Sequence, residues 1–327
     1  MQNILVTGGA GYIGSHMVKL LKEDGYKVIT LDNLKNGFEH EFLDSDFFQI
    51  DLLDAHSIDQ VFSTYKIDAV IHFAGVISVS ESFQDPKKYY ENNVVGTLNL
   101  LNTMHLHGVD KIIFSSTAAV YGSPQSQIIS EAHPKNPINP YGKTKLAVEE
   151  ILKTFNKNFG LRYGILRYFN ASGADPSAKL GERHTPETHL IPLTIFAALS
   201  DKFELNIFGN DYPTSDGTCI RDYIHVCDLC DAHLLVLKRL LVNNESMIFN
   251  LGNGNGYSCL DIVKTVEKIS KKHVDVKFSN RRDGDPSELV ANSALIRQEL
   301  GWSPKFEDIE TIIEHALNWE TKIKRYP

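Results

Sequence analysis

The chain has 327 residues, 42% of them hydrophobic, and a formal net charge of −8 at pH 7. This length and hydrophobic content allow one large domain, or two lobes that share an interface. Nucleic-acid-binding proteins usually carry a basic excess, so the acidic balance argues against a nucleic-acid partner.

The sequence offers no sign of export, membrane insertion or a metal site. Residues Met1–Thr7 lead into a glycine loop without the basic start or cleavage site of a secretory signal, and no apolar run approaches the roughly 20 residues that span a bilayer. Four cysteines, Cys219, Cys227, Cys230 and Cys259, are too few for a disulfide framework. The C-x-x-C at Cys227 and Cys230 lies in a predicted helix without a second pair to complete a zinc site, which favours core-filling side chains and leaves a redox role open. We expect a reduced, cytoplasmic protein with no membrane partner and no metal.

Strand and helix signals alternate through the first half of the chain. Apolar runs predict strands at residues 3–7, 28–32, 47–51, 69–74, 111–115 and 164–168, separated by helices at about 13–21, 58–65, 93–106 and 141–158. Continuous apolar strands separated by helices are typical of a parallel sheet covered on both faces. The pattern therefore predicts an α/β fold with a doubly wound, Rossmann-type parallel sheet.

The alternation ends after Asn170. Segments rich in Gly, Pro and Asp (173–186, 209–217 and 280–286) follow, with short helices and strands among them. We interpret this part as a smaller C-terminal, substrate-binding lobe at the carboxyl edge of the sheet, where open α/β sheets bind ligands. The predicted boundaries are 1–176 for the nucleotide-binding domain, with 219–242 returning to it, and 177–327 for the lobe.

A glycine-rich turn follows the first predicted strand and opens an amphipathic helix. Gly9-Ala10-Gly11-Tyr12-Ile13-Gly14 fits G-x-G-x-x-G, and Gly8, Gly11 and Gly14 fit a G-x-x-G-x-x-G spacing. Glycine suits a turn outside the φ/ψ range of other residues, and it lets a pyrophosphate approach the backbone at the positive end of the helix. This context predicts a bound dinucleotide.

Two acidic residues end the next predicted strands. Asp32 ends the second strand, 18 residues after Gly14. A carboxylate there accepts hydrogen bonds from the adenosine ribose and repels a 2′-phosphate, which favours NAD over NADP. Asp51 ends the third strand and is a candidate partner for the adenine amino group, although a plain strand-end aspartate explains it equally well.

A tyrosine and a lysine four residues apart, Tyr141 and Lys145, share one face of a predicted helix. Thr117 ends the preceding strand, at the edge of the sheet where a nicotinamide is expected. Removing a hydride from a sugar carbon also requires a base for the hydroxyl proton. Forming the phenolate of a tyrosine with a pKa of about 10 costs about 4 kcal/mol at pH 7. One cation about 4 Å away offsets this cost. We expect Lys145 and an oxidised nicotinamide to hold Tyr141 as phenolate, with Thr117 hydrogen-bonded to the same sugar oxygen.

Together these motifs resemble those of the extended short-chain dehydrogenase/reductase family, from Asn3 to about Trp319. Further segments that carry the resemblance are Phe73–Gly75, Asn92–Thr97, Tyr141–Lys145, Arg167–Asn170, Ile207–Tyr212 and Arg221–Val226. Within the family the chain is similar to the 4-epimerases of UDP-hexoses. The resemblance implies tightly bound NAD, a UDP-sugar substrate, inversion of C4 through a transient 4-keto sugar, and a homodimer paired through the helices near 93–106 and 141–158.

The resemblance also implies the residues of each binding site. Contacts to NAD are expected from Gly8, Gly11, Tyr12, Ile13, Gly14, Asp32, Asn33, Asp51, Leu52, Phe73, Ala74, Gly75, Asn93, Tyr141, Lys145 and Phe169. Contacts to the substrate are expected from Thr117, Asn170, His189, Leu190, Phe208, Arg221, Tyr223, Arg282 and Asp285. Arg221 and Arg282 suit a diphosphate because guanidinium pairs bidentately with phosphate oxygens.

Four positions depart from the pattern of some family members. Thr117 replaces a serine and keeps its hydroxyl group, and Ile77 replaces a lysine near the nicotinamide ribose. His189 replaces an asparagine against the substrate. Leu289 stands at a position tied to the space around the sugar's 2-substituent, which leaves use of a UDP-N-acetylhexosamine open.

Sister activities remain as alternatives. Nucleotide-sugar 4,6-dehydratases place an acidic pair directly after the strand-end threonine, and this chain has Ala118 and Ala119 there, which cannot exchange protons. Dehydration is therefore disfavoured. A UDP-uronate epimerase or a sugar reductase remains the nearest enzymatic alternative. A non-catalytic NAD-binding sensor is a further one, although such a protein typically loses the tyrosine or the lysine.

Overall fold

The computed structural model of the chain describes residues 1–38, 46–126, 128–200, 202–243, 245–282 and 284–326. Its strands are β1 (Asn3–Thr7), β2 (Lys27–Asp32), β3 (Phe47–Gln49), β4 (Ala69–His72), β5 (Lys111–Thr117), β6 (Ile128–Ile129), β7 (Arg162–Tyr168), β8 (Asn170–Ser172), β9 (Leu205–Phe208), β10 (Ile220–His225), β11 (Met247–Leu251), β12 (Gly256–Ser258), β13 (Val276–Ser279) and β14 (Glu288–Ala291). Its α-helices are α1 (Tyr12–Glu23), α2 (Ala55–Thr64), α3 (Val79–Gln84), α4 (Pro86–Tyr90), α5 (Gly96–Leu106), α6 (Pro140–Phe159), α7 (Leu190–Leu199), α8 (Val226–Val242), α9 (Cys259–Ser270), α10 (Ala294–Leu300) and α11 (Ile309–Ile323). A π-helical turn spans Glu91–Val95, and a 3₁₀ turn spans Ala118–Tyr121.

The chain divides into two compact units. Unit 1 comprises Met1–Gly122, Pro134–Arg167 and Cys230–Phe249, and unit 2 comprises Ser123–His133, Tyr168–Leu229 and Asn250–Pro327. The domain boundaries expected from the sequence, 1–176 with 219–242 against 177–327, stay a prediction.

Unit 1 is built on a parallel sheet. In the described part of the chain the strand order is β11-β7-β5-β4-β1-β2-β3. Strand β1 pairs in parallel with both β2 and β4, and the last residues of β1 and β4, Thr7 and His72, stand opposite each other. The strand order reverses at β1, which is the switch point where doubly wound sheets bind ligands beyond the strand ends. The Rossmann-type fold predicted from the sequence is confirmed.

The core of unit 1 explains why its strands read as continuous apolar runs. Leu5, Val70 and Ile112 project from neighbouring strands and are fully buried against helix residues such as Leu100 and Val148. A sheet covered by helices on both faces has no solvent-facing side, so the strands lack the alternation of polar residues seen in half-exposed sheets. Burial of each such aliphatic side chain contributes about 1.5 to 3 kcal/mol.

Unit 2 contains shorter, mixed strands. One sheet has the order β12-β10-β14-β6, with β8 also paired to β10, and a separate parallel pair joins β9 and β13. Its core is largely helical, with Ile195, Ile262 and Ile312 of α7, α9 and α11 fully buried together. No helix among the described residues combines the length and the apolar character required to cross a membrane.

Candidate active site

The turn between β1 and α1 forms a cradle of bare backbone. Gly8 has φ +73°, and a Cβ atom there would lie 2.6 Å from the backbone nitrogen of Ala74. A Cβ on Gly14 would lie 2.0 Å from the carbonyl oxygen of Gly8. Gly11 stands at the N-cap of α1 and offers no side chain to its first N–H groups. A helix start of this kind suits a pyrophosphate, so the turn fits a dinucleotide.

Asp32 holds the glycine turn in place. Its Oδ2 atom accepts a hydrogen bond from the backbone nitrogen of Ala10 at 3.0 Å, and its Oδ1 atom accepts one from Leu34 at 2.9 Å. Burial raises the pKa of Asp32, and these backbone hydrogen bonds offset part of the rise. Each carboxylate oxygen keeps further acceptor capacity for a ribose hydroxyl group.

Asp51 is engaged by a cation and an amide. Its Oδ2 atom accepts hydrogen bonds from Lys35 at 2.9 Å and from Asn33 at 3.0 Å. Partial burial would raise the pKa of Asp51, but hydrogen bonds from the Leu53 backbone, Lys35 and Asn33 outweigh it and lower the pKa. Leu52, next to it, is buried. Asn33 and Asp51, both expected to contact NAD, are therefore brought together.

A chain of buried hydrogen bonds starts at the switch point. Nδ1 of His72 lies 2.6 Å from the Thr7 hydroxyl group, and its Nε2 lies 2.8 Å from the hydroxyl group of Thr97. Because Thr97 donates to the carbonyl oxygen of Asn93 at 2.6 Å, it accepts from Nε2, and Thr7 donates to Nδ1. Burial, with a contribution from the charge of Lys145, lowers the pKa of His72 to about 3. Sequence reasoning missed His72, whose only signal was a polar residue ending a buried strand.

Asn93 lies in the π-helical turn, and its side-chain amide joins two parts of unit 1. Its Oδ1 atom accepts from the backbone nitrogen of Val76 at 2.9 Å, and its Nδ2 donates to the Val76 carbonyl oxygen at 3.0 Å. Nδ2 also lies 3.1 Å from the hydroxyl oxygen of Thr144, on the helix that carries Tyr141 and Lys145. Asn93 thereby ties the segment after β4 to helix α6.

Helix α6 presents Tyr141 and Lys145 one turn apart. Asn139 caps the helix by accepting from the backbone nitrogen of Gly142 at 2.7 Å. Nζ of the buried Lys145 donates to the carbonyl oxygen of Ser115 at 3.0 Å and lies 6.0 Å from the Tyr141 ring centroid. Burial lowers the pKa of Lys145 to about 8. The structure therefore brings the expected pair to the end of β5.

Thr117 completes this group. It is the last residue of β5, and its hydroxyl oxygen accepts from the backbone nitrogen of Ala119 at 3.1 Å. Burial raises the pKa of Tyr141 to about 12, although the hydrogen bond with Thr117 acts in the opposite direction. The phenol is thus harder to ionise than its reference pKa of about 10 suggests.

A buried ion pair supports the strand that carries Thr117. Arg167 donates to Glu149 from Nε at 2.8 Å and from Nη2 at 2.6 Å, and Ser116 donates to the same carboxylate at 2.6 Å. Nη1 of Arg167 donates to the hydroxyl oxygen of Tyr121 at 2.9 Å. The fork geometry of guanidinium matches a carboxylate bidentately, so α6, β5 and β7 are locked together.

Phe73 and Ala74, two further residues expected to contact NAD, follow β4. The Phe73 ring lies 4.9 Å from the ring of His233, and Ala74 donates through its backbone nitrogen to the carbonyl oxygen of Thr7 at 3.1 Å. Ile77 is 44% exposed, so the position that carries a lysine in some relatives presents an aliphatic side chain. Tyr12 and Ile13 begin α1, beside the glycine turn.

In unit 2, Arg221 and Asp285 form one charged group. Nη2 of Arg221 contacts Asp285 Oδ1 and donates to the carbonyl oxygen of Pro286 at 2.8 Å. Arg221 stands opposite Leu289 in the register of β10 and β14. The two charged residues expected at the substrate are 64 positions apart in sequence, and the structure brings them together.

Phe208 and Arg282 form a stacked pair, with the Arg282 guanidinium carbon 3.9 Å from the ring centroid. The neighbouring Arg281 stacks on Tyr212 at 4.2 Å and donates to Asp211 Oδ1 at 2.7 Å. Stacking on an aromatic face leaves the donors of a guanidinium at its edge available to a ligand.

Asn170 and Tyr223 stand opposite each other in β8 and β10, and Nδ2 of Asn170 donates to the carbonyl oxygen of Asp222 at 3.1 Å. Phe169 precedes Asn170 and donates through its backbone nitrogen to Leu251 at 3.3 Å. Burial raises the pKa of Tyr223 well above its ordinary value, so this phenol stays neutral.

His189 and Leu190 stand at the start of α7. Nδ1 of His189 lies 2.7 Å from Glu182 Oε1 and 3.1 Å from Glu187 Oε1. Burial would lower the pKa of His189, but these two carboxylates outweigh it and raise the pKa to about 10. Sequence reasoning missed both glutamates, because they lie in an irregular segment without a helical or strand period.

The fold and this geometry define the class of protein. A Rossmann-type sheet with a glycine cradle, an acidic residue ending β2 and a Tyr–Lys–Thr group ending β5 is typical of NAD-dependent enzymes that oxidise or reduce a substrate. The model of the NAD dependent epimerase/dehydratase family matches residues 4–252. The chain belongs to this family.

Similar proteins agree with that assignment. The UDP-glucose 4-epimerase of Halalkalibacterium halodurans is 49% identical over 316 residues, which cover 97% of this chain and 95% of the relative. The crystal structure of UDP-glucose 4-epimerase from Bifidobacterium longum in complex with NAD+ and UDP is similar with a TM-score of 0.94 and 37% identity, covering 100% of both chains. The UDP-Glc/GlcNAc 4-epimerase of Campylobacter jejuni has a TM-score of 0.85 and 43% identity, covering 98% of this chain and 100% of that chain. The predicted family and the predicted cofactor, NAD, are confirmed.

Proposed function

We propose that this chain catalyses the NAD-dependent epimerisation of a UDP-hexose at C4, interconverting UDP-glucose and UDP-galactose. The proposal rests chiefly on Tyr141 and Thr117 at the end of β5, beside the buried Lys145, whose ammonium nitrogen donates to Ser115 at 3.0 Å and lies 6.0 Å from the Tyr141 ring centroid. A sugar hydroxyl group placed against this pair has a proton acceptor and a hydrogen-bonding partner, which C4 oxidation requires. The names of the relatives point to the same reaction.

The residues expected to contact NAD supply the cofactor site in this proposal. The backbone of Gly8, Gly11 and Gly14 holds the pyrophosphate, and Asp32 holds the adenosine ribose. The other residues assigned to NAD are Tyr12, Ile13, Asn33, Asp51, Leu52, Phe73, Ala74, Gly75, Asn93, Tyr141, Lys145 and Phe169. NAD, when bound, supplies the hydride acceptor at C4 and a positive charge beside the phenol.

Tyr141 removes and returns the proton of the sugar's 4-hydroxyl group. Its pKa of about 12 leaves the phenolate about 7 kcal/mol unfavourable at pH 7, more than the 4 kcal/mol of an unburied tyrosine. A Lys145 ammonium group about 6 Å away contributes about 3 kcal/mol at an effective dielectric of 20. The remainder requires a second positive charge, so Tyr141 acts as a base only when the oxidised cofactor is in place.

Residues of unit 2 hold the UDP part of the substrate. Arg221 and Arg282 pair with the diphosphate, and Phe208 supports Arg282 by stacking. Asn170, His189, Leu190, Tyr223 and Asp285 complete the set. Because the sugar is anchored by its diphosphate, the 4-keto sugar turns about those bonds and presents its other face, and Tyr141 alone serves both directions.

An isotope experiment tests the reaction. UDP-galactose carrying deuterium at C4 is incubated with the holoenzyme in ordinary water, and the UDP-glucose formed is examined by mass spectrometry. We expect the deuterium to remain at C4 and the NAD content to stay constant over many turnovers. Loss of deuterium to water, or one NAD consumed per product, contradicts the proposal, and absence of turnover supports a non-catalytic NAD-binding sensor instead.

The same site also determines which UDP-sugars the enzyme accepts. The dual name of the Campylobacter jejuni relative makes UDP-N-acetylhexosamine the second candidate substrate, and a UDP-uronate the third. Leu289 stands beside Arg221 in the sheet register, and we propose it as the residue that limits space at the sugar's 2-substituent. Conversion rates of UDP-N-acetylglucosamine before and after Leu289→Ala test this assignment, with a gain expected in the variant.

We also propose a homodimer that works in the cytoplasm. Leu106 at the end of α5 is 77% exposed and Phe159 at the end of α6 is 53% exposed, on the two helices expected to pair. Exposed apolar side chains at helix ends are suited to burial in an interface. Sedimentation of the native protein and of Leu106→Glu tests this, and a monomeric native protein contradicts it.

A further inference from the structure

A compact group of ligand-type side chains lies in the segment before α7, in unit 2. We name it the Glu-His cluster, and its members are Glu182, His184, Glu187 and His189. Each contributes one ligand atom, and these four atoms all lie within 4.8 Å of one another. Two imidazole nitrogens and two carboxylate oxygens that converge in this way form a set able to surround one ion.

Three of the four nitrogen–oxygen distances between these atoms lie within about 0.3 Å of those in a tetrahedral ion site, and the fourth is a direct contact that a bound ion would open. Zn²⁺ binds nitrogen and carboxylate oxygen at about 2.0 to 2.2 Å, so its ligand atoms stand about 3.3 to 3.5 Å apart. Oε1 of Glu182 lies 3.2 Å from His184 Nδ1 and 2.7 Å from His189 Nδ1. Oε1 of Glu187 lies 3.8 Å from His184 Nδ1 and 3.1 Å from His189 Nδ1.

The orientation of His184 favours an ion over a direct contact with glutamate. Its Nδ1 atom is buried and has no hydrogen-bond partner among the described residues, although Glu182 Oε1 is only 3.2 Å away. A nitrogen and an oxygen at this distance that are not aligned with each other can both point at a third atom. An unpaired buried nitrogen is otherwise costly, which argues for a ligand at this point.

The charge of the surroundings points to a dication. Arg325 donates to Glu187 Oε2 at 2.8 Å and to the buried Glu320 at 2.6 Å. Without an ion, the ring of His189 pairs with the carboxylates of Glu182 and Glu187. Zn²⁺ binds neutral imidazole, so its binding releases the imidazole proton and leaves three carboxylates, those of Glu182, Glu187 and Glu320, with a single guanidinium, a charge of −2. Buried carboxylates are stable only when paired or bound to a metal, and one divalent ion balances this group.

Side chains outside the Glu-His cluster hydrogen-bond to its backbone. Trp319 donates through its indole nitrogen to the Glu182 carbonyl oxygen at 2.9 Å, and Arg325 donates to the His184 carbonyl oxygen at 3.2 Å. Metal sites depend on outer groups of this kind, which orient the residues that bind the ion. The ligand-bearing segment is thereby fixed on both sides of His184.

We propose that the Glu-His cluster binds one Zn²⁺ ion. Two imidazoles with two carboxylates suit zinc better than magnesium or calcium, which prefer six or more oxygen ligands. All four tetrahedral positions come from the protein, so the ion is structural and leaves no open position for catalysis. His189 binds the ion through Nδ1, and the substrate contact proposed for this residue is left to the rest of its ring. It joins residues 182–189 into one rigid loop before α7. The sequence predicted no metal, because these ligands follow no known spacing.

Zinc binding is tested on untagged protein, since a histidine tag binds zinc itself. The protein is stripped with a chelator and titrated with Zn²⁺ alone, and bound metal is measured by mass spectrometry after dialysis. We expect one zinc per chain, a higher Tm with zinc, and zinc binding weakened at least 100-fold in His184→Gln and Glu182→Gln. His273→Gln is the matched control, because His273 pairs with Glu267 at 2.6 Å on an exposed surface of the same unit. The control is expected to bind zinc like the native protein.

A crystal of the zinc-loaded native protein gives an answer that does not depend on the folding of any variant. We expect an anomalous peak at the zinc edge, surrounded by the four named ligand atoms. A peak elsewhere, zinc binding unchanged in both variants, or no stoichiometric zinc in the native protein overturns the proposal. Stoichiometric binding of Mg²⁺ or Ca²⁺ without zinc also overturns it. None of these readouts depends on epimerase activity, so they test the zinc site independently of the proposed reaction.

Discussion

The ammonium nitrogen of Lys145 lies 3.0 Å from the carbonyl oxygen of Ser115, at the end of β5. This hydrogen bond fixes the buried cation between the sheet and the ring of Tyr141, whose centroid is 6.0 Å away. Burial lowers the pKa of Lys145 to about 8, so the group is charged at pH 7. Its charge therefore lies close to the phenol that we propose as the base.

Replacing this cation should slow the reaction. We expect Lys145→Met to lower kcat about 100-fold, because the charge contributes about 3 kcal/mol to a phenolate about 6 Å away. Lys143→Met is the control, since Lys143 is exposed on the same helix. Steady-state rates of UDP-galactose conversion measure both. Equal rates in the two variants would show that the charge of Lys145 does not assist the base.

The buried His72 should make stability depend on pH. Above pH 6.5 its ring is neutral in both the folded and unfolded states. Below pH 6.5 the unfolded chain takes up a proton, while the folded chain does not until about pH 3. Stability is therefore lost as the pH falls, by about 1.4 kcal/mol per unit and about 2 kcal/mol between pH 6.5 and 5.

Urea unfolding at pH 7 and pH 5 measures this contribution. We expect His72→Asn to be less stable than the native protein at pH 7 and to lose about 2 kcal/mol less on acidification. His56→Asn, at an exposed position, is expected to behave like the native protein. If His72→Asn and the native protein lose stability equally, the ring is not held neutral by burial.

The buried pair of Arg167 and Glu149 predicts a non-additive effect on stability. Arg167→Met should cost about 3 to 5 kcal/mol, because it leaves a buried carboxylate without its charge partner. Changing both residues to Met should lower the free energy of unfolding by less than Arg167→Met alone. The exposed pair of Lys153 and Glu150 on the same helix is the control, and Lys153→Met should change stability by less than about 1 kcal/mol. Urea unfolding measures the free energy of unfolding of each variant. A double variant less stable than Arg167→Met would contradict the argument.

Two neighbouring arginines should differ in their effect on UDP binding. Arg282 stacks on Phe208, whereas Arg281 is committed to Asp211. We expect Arg282→Met to weaken binding of UDP about 10- to 100-fold, because hydrogen bonds to charged groups contribute about 1.5 to 3 kcal/mol. Arg281→Met should change it less than about 3-fold. Calorimetric titration with UDP measures the affinity of both variants. Equal losses of affinity would contradict a specific role of Arg282 in binding UDP.

Local patterns in the sequence were sufficient to predict the sheet and the glycine turn. Buried parallel strands are continuous apolar runs, and a glycine turn needs only a strand before it and a helix after it. The helix expected from residue 93 was placed less well, because Glu91–Val95 forms a π-helical turn. That turn is accompanied by hydrogen bonds that the Asn93 amide donates to Val76 and Thr144, which are distant in sequence and leave no periodic signal.

Contacts between distant residues account for the rest of what the sequence left open. Arg221 and Asp285 were expected at the substrate by resemblance, but their ion pair depends on how β10 and the segment before β14 fold. The Glu-His cluster was missed altogether, since its members lie in an irregular segment and converge only through the path of the backbone. Residue type and spacing carry no information about such paths.

The role of Tyr141 is tested most directly by removing its hydroxyl group. Tyr89→Phe is the matched control, because the Tyr89 ring lies edge-on to Tyr141 at 6.4 Å and its hydroxyl group donates to Glu81. The measurement is kcat for UDP-galactose conversion, with NAD content and UDP affinity determined alongside. We predict a loss of at least about 100-fold in Tyr141→Phe, with both binding properties kept and the control near the native rate. A Tyr141→Phe protein that turns over within a few-fold of the native rate would contradict the account.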